Sequence, residues 1–198
     1  MKIKCFTGGS LQSNGYVISR EESGRCYIID PGYEASRFTE YVKKKKLKTA
    51  GVILTHHHHD HSGAAHKVSD ILECPVLMSF EDSIYYNGMV SVLEDRQVLD
   101  MDGEKLQIVK TPGHTHGSIC IVSEKSKVVF TGDTVFDTDL GCTVLSDGSE
   151  AEMIETCRRV VNSWPDDYRI YPGHDGSATM KQVRTYNTEF LMCLEEKK

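Results

Sequence analysis

The stretch Val52-Ile53-Leu54-Thr55-His56-His57-His58-His59-Asp60-His61 decides how this chain is read. An apolar, β-type run delivers five imidazoles and a carboxylate into one short segment. Imidazole nitrogen and carboxylate oxygen are donors that suit zinc, iron and manganese. Each histidine held beside an apolar strand costs desolvation, so a dense run of them away from both termini calls for a chemical role. The bland alternative, a surface histidine tract, accounts for none of the partners found elsewhere in the chain.

Three further strand-like runs end in the same way. Leu106-Gln107-Ile108-Val109 runs on to Thr111-Pro112-Gly113-His114, Lys127-Val128-Val129-Phe130 to Thr131-Gly132-Asp133, and Tyr168-Arg169-Ile170-Tyr171 to Pro172-Gly173-His174. A glycine stands directly before each of these candidate ligands. Proline fixes φ and glycine tolerates backbone angles closed to other residues, so the chain can turn sharply and aim the next side chain back. Four strand ends carrying ligand-type residues predict loops that converge on one mouth. Loops on a rigid scaffold are where chemistry concentrates.

Composition bounds the answer. The 198 residues suffice for a single domain, 1–198, with a substantial core. With 39% hydrophobic and 26% charged residues the chain is ordinary globular material. A net charge of −6 gives no electrostatic footprint for nucleic acid. Lys43-Lys44-Lys45-Lys46 reads as the solvated end of a helix, where cations complement the dipole. The seven cysteines are irregularly scattered, which argues for reduced thiols, and Met1 to Gly9 has no apolar stretch of signal-peptide length. The expectation is a cytoplasmic protein with no membrane partner and a small-molecule substrate; the sequence leaves its oligomeric state open.

The first 30 residues read as short strands, Ile3 to Thr7, Tyr16 to Ser19 and Cys26 to Ile29, with Asn14-Gly15 as a turn signal. A helix follows with Phe38, Tyr41 and Val42 at helical spacing. Asp147-Gly148 marks another turn. Ser149-x-x-Glu152 has the pattern of a capping box ahead of Met153, Ile154, Cys157, Val160 and Val161, and Trp164-Pro165 stops that helix. A last helix is expected to carry Met180, Val183, Phe190, Leu191 and Leu194 on one stripe. Periodicity by itself restricts the fold to α/β or α+β.

The set His56-x-His58-x-Asp60-His61, then His114, Asp133 and His174, resembles the complete ligand set of the metallo-β-lactamase superfamily. The match runs from about residue 14 to 192 and includes Asp30-Pro31-Gly32, similar to the family's early turn, whose aspartate is a structural support. Thr-His-x-His-x-Asp-His, Thr-Pro-Gly-His-Thr, Thr-Gly-Asp-Thr and Tyr-Pro-Gly-His are most similar to the glyoxalase II-like, hydroxyacylglutathione hydrolase branch. The resemblance implies an α+β, four-layer αββα sandwich of two mixed sheets flanked by helices. It also implies two divalent metal ions, zinc first, with iron or manganese suited to the same donors. His56, His58 and His114 would hold one ion, Asp60, His61 and His174 the other, and Asp133 would bridge them.

Such a pair of ions, ~3.5–4 Å apart, shares a hydroxide that attacks a carbonyl. Asp60 would orient it and take its proton as the catalytic carboxylate. No serine or cysteine nucleophile is needed. His57 and His59 fill variable positions of the motif and are expected to matter little, as are His66 and His116. An aspartate at 133, where zinc β-lactamases of the commonest type have cysteine, disfavours antibiotic hydrolysis.

The chain departs from the branch in two respects. The match stops near where the helical C-terminal domain of full-length glyoxalase II would begin, and Gly141-Cys142-Thr143-Val144 replaces the Gly-Arg-Thr-Asp of shorter relatives. Both departures remove anchors for glutathione. The expected function is therefore dinuclear metal-dependent cleavage of a small acyl thioester. The alternatives are a lactone or ester hydrolase of the same fold, or a mononuclear iron persulfide dioxygenase.

Overall fold

Alternate residues along the central strands face different layers. The computed structural model describes residues 1–21 and 24–195. Strands β1 (Lys2–Gly8), β2 (Ser13–Ser19) and β3 (Gly24–Ile29) pair antiparallel; helix α1 (Ala35–Lys44) then crosses to β4 (Leu47–Ile53), parallel to β3. Short helices α2 (His59–Ser62) and α3 (Ala65–Leu72) lead to β5 (Val76–Ser79), and α4 (Phe80–Ser83) leads to β6 (Ser91–Leu93); both strands continue the parallel half. The six strands lie side by side in chain order.

The second sheet mirrors the first. Strands β7 (Val98–Met101), β8 (Glu104–Lys110), β9 (Ile119–Ser123) and β10 (Val128–Gly132) form an antiparallel meander. Helix α5 (Glu150–Arg159) crosses to β11 (Arg169–Pro172), parallel to β10, and β12 (Ala178–Thr179) is the edge strand. Helices α6 (Met180–Tyr186) and α7 (Thr188–Leu194) follow.

Tyr16, Ile18, Tyr27 and Ile29 face Ile108, Ile119, Ile121 and Phe130 between the sheets. Their neighbours Val17 and Ile28 point the other way, onto Phe38 and Val42 of α1 and Val68 of α3. On the far side Cys120, Val122 and Val129 receive Met153, Cys157, Val183 and Phe190 from α5, α6 and α7. Strand period two and helix period 3.6 thus meet in three apolar layers, and the architecture is the four-layer αββα sandwich. Burying a side chain such as Phe130 contributes about 1.5–3 kcal/mol.

Three local expectations are corrected. Asn14-Gly15 is no turn but the start of β2, and the β1–β2 hairpin closes at Gly9–Gln12 instead. Gly15 is small because Phe38 and the Asp30 carbonyl press on it. The last helix is two helices, broken at Asn187, whose Oδ1 caps α7 while Nδ2 donates to the carbonyls of Phe136 and Asp139. Of the predicted stripe, Met180, Val183 and Phe190 are buried, whereas Leu191 is exposed. Ser149 caps α5 by accepting from Glu152 N, but the Glu152 carboxylate reaches His116 Nδ1, 2.7 Å away. Lys43 and Lys44 close α1, as their charge predicts.

Candidate metal centre

The four strand ends singled out in the sequence, those of β4, β8, β10 and β11, open at the same end of the sandwich, and all seven candidate ligands meet there. His56 follows β4 and is 1% exposed. Its Nδ1 lies 3.0 Å from Thr55 Oγ1, and that hydroxyl donates to Asp30 Oδ2 at 2.6 Å. The hydroxyl proton is committed to Asp30, so the imidazole carries its proton on Nδ1 and keeps the Nε2 lone pair free. Asp30 also accepts from Thr55 N at 2.8 Å, which is the support role its turn implied.

His58 Nδ1 lies 2.9 Å from His114 Nε2, and His114 donates its Nδ1 proton to the Cys142 carbonyl at 2.7 Å. Donor atoms of His56, His58 and His114 fall within 4.8 Å of one another. A single turn, α2, carries Asp60 and His61 on from His58, with His61 N bonded to the His58 carbonyl. Gly32 makes room for it, since a Cβ there would lie 1.5 Å from the Asp60 carbonyl oxygen. His61 Nε2 is 3.2 Å from both His174 Nε2 and Asp60 Oδ2, and His174 Nε2 is 3.2 Å from Asp60 Oδ2. Asp133 lies between the two sets: Oδ2 is 3.5 Å from His114 Nε2 and 3.4 Å from His174 Nε2, and Oδ1 is 3.4 Å from His61 Nε2.

The second sheet's loop is pinned to the first. Asn14 donates Nδ2 to the carbonyls of Pro172 and Asp175, and Tyr16 Oη donates to Pro172 O at 2.5 Å. Gly173 is required by proximity: a Cβ would stand 2.1 Å from Asp133 Oδ1 and 2.6 Å from His61 Cε1.

Two buried polar atoms that face this cluster, His56 Nε2 and Asp133 Oδ1, have no hydrogen-bond partner among the described residues, while His61 Nδ1 lies 3.4 Å from Asp30 Oδ2 on the far side of its ring. An unsatisfied buried polar atom costs about 1–3 kcal/mol, so such a concentration at a donor cluster fits a cation. The electrostatics divide the cluster in two. Burial, then the neighbouring imidazoles, keeps His56 neutral by lowering its pKa well below the usual histidine value. Burial also lowers that of His114 against the pull of Asp133. In the other set, Asp133 and Asp60 raise His174 to about 10. Burial opposes charge on His61, but Asp133, Asp30 and Asp60 outweigh it and raise its pKa. Asp60 is held below the carboxylate range by His174 and His61 despite its burial.

Sequence reasoning missed the outer partners. His57, expected to matter little, has Nδ1 3.0 Å from Asp82 Oδ2 and Nε2 3.2 Å from Asp147 Oδ2, and its ring stacks on Tyr85. Asp147 Oδ2 also lies 3.1 Å from His58 Nε2. No motif flags Asp82, and Asp147 stood out only as half of a turn signal. Asp30, in its Asp-Pro-Gly turn, and Thr55, next to the histidine run, carried local signals. His59 is exposed, as are His66, 3.5 Å from Asp70, and His116, beside Glu152.

The cluster opens into a cleft of about 520 Å³ whose rim includes Leu11, Phe136, Asp139, Leu140, Cys142 and Asp175. Leu140 and Cys142 also wall an adjoining groove of about 580 Å³ with Val144, Met153, Ile154 and Met192 on its sides. None of the described residues lining either space is lysine or arginine. Arg158 is bonded to the carbonyls of Cys193 and Glu195, Arg159 pairs with Glu155, and Arg184 pairs with Asp166.

Fold and site together define an αββα protein with a metal-binding His/Asp cluster at the C-terminal ends of its strands. Residues 8–174 match the model of the metallo-beta-lactamase superfamily, and the chain belongs to that superfamily. A probable hydroxyacylglutathione hydrolase of Schizosaccharomyces pombe is 32% identical, covering 84% of this chain and 65% of that protein. The probable polyketide biosynthesis zinc-dependent hydrolase PksB of Bacillus subtilis is 33% identical, covering 80% of this chain and 71% of PksB. The crystal structure of TTHA1623 in a di-iron-bound form superposes with a TM-score of 0.84 at 25% identity, covering 93% of this chain and 98% of that one.

Proposed function

We propose that this chain is a dinuclear metal-dependent hydrolase acting on small acyl thioesters. The carrying observation is the double donor set, His56/His58/His114 and Asp60/His61/His174, with Asp133 between them. These residues would hold two ions, and Asp133 would touch both. Metal bound in this way polarises a carbonyl oxygen and brings the pKa of water to about 7. Asp60, 3.2 Å from both His61 Nε2 and His174 Nε2, is the carboxylate suited to orient the attacking water and take its proton. The second set is as closely assembled as the first, which supports two ions over a mononuclear oxygenase. Zinc remains the first choice, supported by PksB's description; the di-iron form of TTHA1623 supports iron as the alternative.

The rim supports a substrate of low negative charge. Asp139 and Asp175 stand at the mouth, and burial, then the carboxylates of Glu189, Asp175 and Asp137, raise the Asp139 carboxyl from its ordinary value. A thiol bearing carboxylates meets no cationic fork among the described residues there. The groove beyond Leu140 and Cys142 offers apolar surface for the acyl or thiol portion instead. Element analysis of purified protein, with a panel of thioesters, lactones and phosphodiesters, tests the reading. Two ions per chain and thioester cleavage without oxygen uptake are expected. A single iron with oxygen consumption would overturn it.

A further inference from the structure

Each of the three histidines of the first donor set needs one nitrogen fixed so that the other faces the ion. His56 has Thr55 and Asp30 for this, and His114 has the Cys142 carbonyl. His58 is the more exposed, its side chain 20% accessible against 6% for His114. Its Nδ1 faces the cluster, and its Nε2 faces Asp147 Oδ2 at 3.1 Å. A carboxylate at Nε2 selects the tautomer protonated there and leaves the Nδ1 lone pair to the metal.

Asp147 belongs to the turn Leu145–Gly148, whose backbone is tied to the neighbouring loop by His116 N donating to the Asp147 carbonyl at 3.1 Å and Ser149 N to the Gly113 carbonyl at 2.8 Å. What braces its side chain is His57. That ring spans Asp147 Oδ2 and Asp82 Oδ2, at 3.2 and 3.0 Å, and stacks on Tyr85 with centroids 4.6 Å apart. Asp82 is 1% exposed and is anchored in turn by His57 N and Thr115 Oγ1. A continuous polar chain, Asp82–His57–Asp147–His58, therefore runs from the interior to the donor set.

We propose that Asp147 is a positioning residue: braced by His57 and Asp82, it fixes the His58 ring and so sets the metal affinity of the His56/His58/His114 site. The inference rests on reading those three histidines as metal ligands. Loss of an outer-shell carboxylate of this kind weakens metal binding roughly 10- to 100-fold.

The test is chelator competition for Zn²⁺, with Co²⁺ absorption as a second readout, in a His174→Ala background that leaves the three-histidine site to be measured alone. Asp147→Ala is expected to weaken Zn²⁺ binding there by about 10- to 100-fold and to alter the Co²⁺ spectrum. Asp147→Asn should fall between, because its amide oxygen still accepts from Nε2–H. His57→Ala should weaken binding in the same direction and fail to add to Asp147→Ala, as members of one chain do. Unchanged affinity in a folded Asp147→Ala protein overturns the proposal. Should that variant not fold, unchanged affinity in both Asp147→Asn and His57→Ala overturns it equally. Absence of metal binding in the parent protein would instead refute the ligand assignment and this inference with it. Thioester inactivity with the affinity loss intact would refute only the substrate.

Discussion

His58 Nδ1 lies 2.9 Å from His114 Nε2, although 56 residues of chain separate them. The two nitrogens face one locus because each ring is committed on its other side, His58 to Asp147 and His114 to the Cys142 carbonyl. Nitrogens bound to zinc stand about 2.0–2.1 Å from it, so donors roughly 3 Å apart are spaced as ligands of one ion. The scaffold has met the ordering cost in advance, through bonds that involve no metal.

Asp133→Ala is expected to lower metal content at both donor sets and to cost more activity than removal of His114 or His174. The reason is position: Asp133 oxygens lie within 3.5 Å of nitrogens from both sets. The loss should exceed the roughly 10- to 100-fold typical of an outer-shell partner. Element analysis beside kcat/KM checks it, and a variant that keeps two ions would contradict the bridging role.

Gly173→Ala should damage the site without replacing any candidate ligand. The added methyl would stand 2.1 Å from Asp133 Oδ1, so either the loop or the carboxylate must shift. Overpacking of this kind costs about 1–3 kcal/mol. Thermal melts and metal titration should show both a lower Tm and weaker metal binding. A wild-type metal affinity would show that the loop yields freely.

Metal uptake at neutral pH should release protons. In the metal-free chain Asp133 and Asp60 raise His174 to about 10, so its imidazole is protonated at pH 7 and must lose that proton to bind metal. A raised histidine pKa stabilises the metal-free fold fully below about pH 6.5, the unperturbed value. That contribution declines as pH climbs towards 10. Apparent metal affinity should rise over the same interval. Indicator-dye titration at pH 7 measures the protons; none released would contradict a charged His174.

Matched acyl thioesters of glutathione and of a short neutral thiol should differ little in kcat/KM. Among the described residues no lysine or arginine lines the cleft or the adjoining groove, and Asp139 and Asp175 stand at the rim. A charge-assisted hydrogen bond contributes about 1.5–3 kcal/mol, so a hidden cationic anchor would show as a glutathione preference of roughly ten- to a hundredfold. Steady-state kinetics on the pair decides. A preference of that size would refute the argument from rim charge.

Much of the candidate centre was legible in the sequence, because its candidate ligands follow strand ends in the chain. Thr55-His56 to His61 is contiguous, and glycine directly precedes His114, Asp133 and His174. The apolar runs Tyr16 to Ser19 and Cys26 to Ile29 were likewise readable as strands, now parts of β2 and β3, and the αββα layering followed from the family resemblance. The turn expected at Asn14-Gly15 and the single final helix were misread for a shared reason. Asn14 and Asn187 spend their side chains on carbonyls remote in sequence, Pro172 and Asp175 for one, Phe136 and Asp139 for the other. Local propensity does not contain such partners.

By itself, then, the sequence determined the donor types, their order and the strand ends that carry them, since those depend on covalent spacing and strand periodicity. Tertiary structure decided which nitrogen of each histidine faces the cluster. That choice belongs to Asp30 acting through Thr55 on His56, to the Cys142 carbonyl on His114, and to Asp147 on His58. It also decided that His57, a variable position of the motif, links Asp82 to Asp147. A tautomer is set by the hydrogen bond on the far side of the ring, and most of those bonds come from loops that only folding brings near.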